Sequence, residues 1–193
     1  MTTDNSMSST YGGLQQSTIA GTTAPAGRLD SATGIFSGER DAQDLNEDAI
    51  DTLNNLLEIC RDGEFGFGES AEHTKTQEVK SVFLQRAGDC RSAAAELEQL
   101  IVQMGGTPDE GGTVSGAMHR GWVAVKGTLS GYSDLSMLEE CERAEDVALA
   151  QYRKALTQNL PQHAKEVVER QAQGAQRNHD QIRGMRNAHK ATS

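Results

Sequence analysis

From Leu45 to Met185 the chain places apolar residues at steps of three and four, the spacing that gathers them on one face of an α-helix. The first run holds Ile50, Leu53, Leu57, Cys60, Glu64 and Phe67, opened by Asn46 as N-cap with Glu47 and Asp48 in the first turn. It predicts a helix from residue 46 to His73. Thr74 with Gln77 reads as a capping box for a second helix, faced by Val79, Phe83, Arg86, Cys90, Ala93, Leu97, Ile101 and Met104. Gly105-Gly106 ends it. A link this short makes the two helices an antiparallel hairpin.

The stretch from Thr107 to Tyr132 is too long for a tight turn and reads as a crossover, in which Thr113–Lys126 forms a short helix carrying Met118, Trp122 and Val125. Ser136 with Glu139 reads as the capping box of a third helix, with Leu138, Cys141, Glu145, Ala148, Tyr152 and Leu156 on its face. Asn159-Leu160-Pro161 breaks that helix and starts a fourth, faced by Ala164, Val168, Gln171, Ala175, His179, Ile182 and Met185. Two helical hairpins joined by one long crossover is the ferritin-like form of the four-helix bundle. The expected fold is therefore all-α, with the bundle over residues 44–190. Residues 1–43 are rich in Ser, Thr, Gly, Ala and Gln without an apolar period, and read as a disordered or loosely packed tail.

Polar residues standing where core side chains belong carry the chemistry. Glu64, Arg86, Glu145, Gln171 and His179 all do. Counted from the turn at Thr74, Glu64, Arg86 and Glu145 come out at one depth, and His179 about one turn nearer that end, facing Glu142. Carboxylates and a histidine converging inside a helical bundle are the raw material of an iron or manganese site, with Glu64, Glu142, Glu145 and His179 as ligands. The set is incomplete for a di-metal centre, which takes Glu-x-x-His from two helices. The fourth helix has Gln176 in place of that glutamate, and the second offers Arg86 and Asp89 instead of a histidine. Arg86, Asp89 and Gln171 are therefore expected in a structural polar layer, with the arginine supplying the positive charge that a metal would bring.

Composition narrows the partners. The 193 residues carry a formal net charge of −10, so no broad basic face is expected to meet nucleic acid. No run of about 20 apolar residues could span a bilayer, and the first residues lack the basic and apolar regions of a signal peptide. Cys60, Cys90 and Cys141 are too few and too far apart for a disulfide scaffold, which fits a reducing cytoplasm. No strand-turn-helix context supports a nucleophilic triad. His119, Arg120 and Trp122 in the crossover form a candidate interaction surface.

Several segments resemble a known family. They are Asp62-Gly63-Glu64 with Gly66-Phe67, Gln85-Arg86 with Ala95-Glu96-Leu97, Gly116 to Trp122, Glu142 with Glu145-Asp146, and His179-Asp180 with Ile182-Arg183. Over Ala49 to Asn187 the chain is similar to a bacterial family of four-helix-bundle proteins grouped with the ferritin-like superfamily as a domain of unknown function. The resemblance implies a ferritin-like bundle and brings no activity with it. Gln176 and Arg86 depart from the di-iron pattern of relatives that oxidise or store iron.

The leading functional expectation is a non-catalytic, stress-associated bundle that contacts itself or a protein partner, with a buried Glu/Arg layer in place of a full di-metal site. Two alternatives stand beside it. One is a carboxylate-bound iron or manganese protein of the oxidase or storage type. The other is an adaptor or cargo protein recognised through residues 1–43.

Overall fold

The computed structural model describes residues 33–110 and 133–192. Among them lie four helices and no strand: α1 (Thr33–His73), α2 (Gln77–Gln103), α3 (Asp134–Leu156) and α4 (Gln162–Thr192). They form the expected four-helix bundle. The helix expected over Thr113–Lys126, with His119, Arg120 and Trp122, lies outside the described residues, as do residues 1–32 of the expected tail. None of the described helices is long and apolar enough to cross a membrane.

The hairpins α1/α2 and α3/α4 pack most closely, α1 and α3 less so, and α2 and α4 less again. The core falls into two clusters. One is built on Leu53, Leu57, Leu97, Ile101, Tyr152 and Val168, the other on Phe67, Val79, Phe83, Met137, Leu138 and Ile182. In the second cluster the Phe67 and Phe83 rings meet at 6.1 Å between centroids, tilted by 44°.

Several helix ends differ from the sequence expectation. α1 begins at Thr33 and runs unbroken through Asn46, although Ala42 to Leu45 are exposed and, from residue 42 on, burial starts only at Ala49. Asn46 is therefore not an N-cap; its Nδ2 donates to the Met104 carbonyl at 3.1 Å. Thr74 does not cap α2 either. Its hydroxyl turns back to the Ser70 carbonyl at 2.7 Å, and the N-cap is Thr76. The Asp134 carboxylate supplies the acceptors instead, taking the backbone N–H of Lys75 at 2.8 Å and of Thr76 at 2.9 Å. The box that opens α3 is Ser133 with Ser136, one turn earlier than Ser136 with Glu139.

The end of α2 matches its sequence signal. Gly105 takes φ +82°, its N–H reaches the Val102 carbonyl, and the Gly106 N–H reaches that of Ile101, a Schellman ending. The chain then turns along α1. Asn54 donates to the Thr107 carbonyl and accepts from the Asp109 N–H, and Arg61 donates to the Asp109 carbonyl.

Candidate functional site

The polar layer lies between the two core clusters. Arg86 reaches in from α2 with its side chain 11% exposed, donating through Nε and Nη2 to both oxygens of Glu145, which is 1% exposed. Fork-on-carboxylate geometry is the strongest ion pairing available to protein side chains. The guanidinium also lies 5.6 Å from the centroid of the Phe67 ring. Burial pushes the Glu145 carboxyl above the usual carboxylate range, and the charge and hydrogen bonds of Arg86 offset only part of that rise.

Glu64 does not join this layer. Its carboxylate pairs with the exposed Arg91 at 2.7 Å on the rim between α1 and α2. The seam position at this depth of α1 is Gly63, which faces Cys90 and leaves room for the layer. Cys60, Gly63 and Phe67 keep helical spacing as well as Cys60, Glu64 and Phe67 do, so the periodicity alone pointed equally to either residue.

The other expected ligands also have separate partners. Glu142 faces α4, 3.1 Å from Arg186 Nε and 3.8 Å from Arg183 Nε. The Arg186 Nε–H is buried and finds no hydrogen-bond acceptor, so that contact is one of charge alone. His179 is buried not against Glu142 but one turn below it, with Nε2 3.1 Å from Asp146 and Nδ1 3.2 Å from Asp180. The hydrogen bonds from His179 and Gln176 hold the Asp180 carboxyl below the usual range. Arg91 and Arg186 carry no signal in the sequence, because arginines at helix edges look like an ordinary solvated face, and Arg183 enters only through the family resemblance.

Asp89 is exposed and accepts from Asn178 at 3.2 Å across the gap between α2 and α4. Gln171 is the centre of a partly buried chain of hydrogen bonds. Cys60 Sγ lies 3.3 Å from the Tyr152 hydroxyl, which donates to Gln171 Oε1 at 3.1 Å, and Gln171 Nε2 donates to Glu96 at 2.9 Å and to the Ala93 carbonyl at 3.2 Å. Burial raises the Cys60 thiol and pushes that of Cys90 up to about 12, so neither thiol ionises at neutral pH.

A ferritin-like bundle implies a carboxylate-bound metal pair, and the donors here do not fit one. Glu64, Glu142 and Glu145 each face an arginine, and His179 stands apart with two exposed aspartates. Among the described residues no three His, Cys, Asp or Glu side chains converge to hold a metal ion.

The model of a domain of unknown function, DUF2383, matches residues 48–158, from α1 to just past the end of α3. No curated protein matches the chain. Solved structures that share its fold include two ferritin-like proteins. One is a two-domain protein from Anabaena variabilis with DJ-1/ThiJ/PfpI-like and ferritin-like domains, at 11% identity and a TM-score of 0.62 over 77% of this chain; the chain spans 38% of that protein. The other is a dodecameric thioferritin, the bacterioferritin-related protein of Bacteroides fragilis, at 14% identity and a TM-score of 0.61, covering 76% of this chain and 88% of that one.

Proposed function

The chain belongs to the DUF2383 family and has a ferritin-like fold, and from that premise we propose that it is a non-catalytic bundle protein that works through binding and self-association. The Arg86–Glu145 pair carries this reading. A guanidinium held against both oxygens of the buried carboxylate does the electrostatic work of a bound cation and stands where iron or manganese would have to approach it. The dodecameric state of the Bacteroides fragilis thioferritin supports self-association as the form in which the bundle acts.

Elemental analysis of protein expressed with added iron and manganese tests the proposal. The expected result is no stoichiometric metal and no ferrous-dependent oxygen uptake. One or two equivalents of metal, lost on Glu145→Ala, would overturn it in favour of an oxidase or storage protein. Sedimentation of the full chain reads the second half, with a closed oligomer expected and a monomer at all concentrations counting against it.

A further inference from the structure

The gap between α2 and α4, the least closely packed pair of neighbouring helices, forms a cleft of about 410 Å³. Small-molecule sites occupy roughly 300–1,000 Å³. Both ends of the cleft are tied across, by Asp89 with Asn178 at one and by Glu96 with Arg170 and Gln171 at the other. Between the ties the walls are Ser92 and Ala93 on one side and Gly174 and Ala175 on the other, and these small side chains leave the space open. At about 30 Å³ per water-sized group, the cleft takes a ligand of about a dozen heavy atoms.

Its lining has unused hydrogen-bonding capacity of both signs. Arg86 directs Nε and Nη2 at Glu145, and its Nη1 has no partner among the described residues. Arg177 lines the same cleft with neither an ion pair nor a hydrogen bond among the described residues. Glu96 has both oxygens taken, whereas Asp89 accepts only at Oδ2. Two guanidiniums with free donors and one carboxylate with a free oxygen thus line the same cleft.

We infer that this cleft is a binding site for a small zwitterionic carboxylate of the amino-acid type. Arg86 and Arg177 take the carboxylate, and Asp89 takes the ammonium group. The inference deepens the binding role proposed above, and its test reads occupancy of the cleft rather than metal content, so the two can fail separately.

The test is calorimetric titration of the full chain with each common L-amino acid in turn, with acetate and methylammonium as single-charge probes. At least one amino acid is expected to bind with one site per chain, with acetate and methylammonium each at least about tenfold weaker. Gly174→Leu, which fills the space from an open helix face, and Arg177→Gln should each weaken binding by about tenfold or more; Arg177→Gln leaves the Tm of the free protein unchanged, and Gly174→Leu, which removes a helical glycine, does not lower it. Three results would overturn the inference: no binding by any amino acid at millimolar concentration, acetate binding as tightly as the best amino acid, or Gly174→Leu binding like wild type.

Discussion

Gly63 of α1 stands directly against Cys90 of α2, and a methyl group in place of its hydrogen would lie 2.7 Å from Cys90 Sγ. Glycine inside a helix costs about 1 kcal/mol relative to alanine, and here it gives the polar layer room. Gly63→Ala is expected to destabilise the wild type, yet to stabilise a Cys90→Ala background by about 0.5–1 kcal/mol. A double-mutant cycle by urea unfolding measures the coupling, and additive effects would show that the two residues do not press on each other.

Arg86→Met strands a buried carboxylate and should cost about 3–5 kcal/mol. Replacing both partners, as Arg86→Met with Glu145→Met, should recover most of that loss, because it removes the charge along with its counterion. Urea midpoints of the single and double variants decide the matter. A single variant as stable as wild type would show that the pair does not hold the layer together.

Asp134 joins the start of α3 to the turn between α1 and α2. Its slight burial raises the pKa, but hydrogen bonds from the Thr76 hydroxyl and the Lys75 and Thr76 backbone outweigh this, and the carboxyl titrates below the ordinary 3.8. A lowered folded-state pKa gives stability that is present above the ordinary value and lost as pH falls through the lowered one. Asp134→Asn should therefore be less stable than wild type at pH 7, with the difference shrinking as pH drops below about 4. Thermal unfolding across that range checks it, and a difference that stays constant with pH would rule out the ionised cap.

All three cysteines are free and buried, and burial raises every thiol pKa. Since the thiolate is the reactive form, iodoacetamide at neutral pH should leave the native protein unmodified and label all three sites in urea. Intact-mass spectrometry reads the outcome. Rapid native labelling of Cys60 or Cys90 would mean that the floor of the α2/α4 cleft opens to solvent.

The bundle was legible because its punctuation is chemical: Gly105 needs a positive φ, Pro161 starts a helix, and the apolar face of each helix keeps its period. The Arg86–Glu145 pair was legible too, since each residue keeps helical spacing with buried neighbours, Phe83 and Cys90 on α2 and Cys141 and Ala148 on α3. Glu64 was misplaced because glycine is invisible to a hydrophobic pattern, so its neighbour was read as the seam. His179 was set against Glu142 because counting along helices carries an error of a turn, which is the distance from Glu142 to Asp146. The Asp134 cap could not be read at all, since its acceptors serve another helix 58 residues away in sequence.

That cap and the clasp of Asp109 by Asn54 and Arg61 tie to the bundle the residues on either side of the crossover. Loop-closure entropy rises by only about 0.6 kcal/mol for each doubling of length. Lengthening the join between the hairpins should therefore cost this architecture little in closure entropy as long as both clasps stay made.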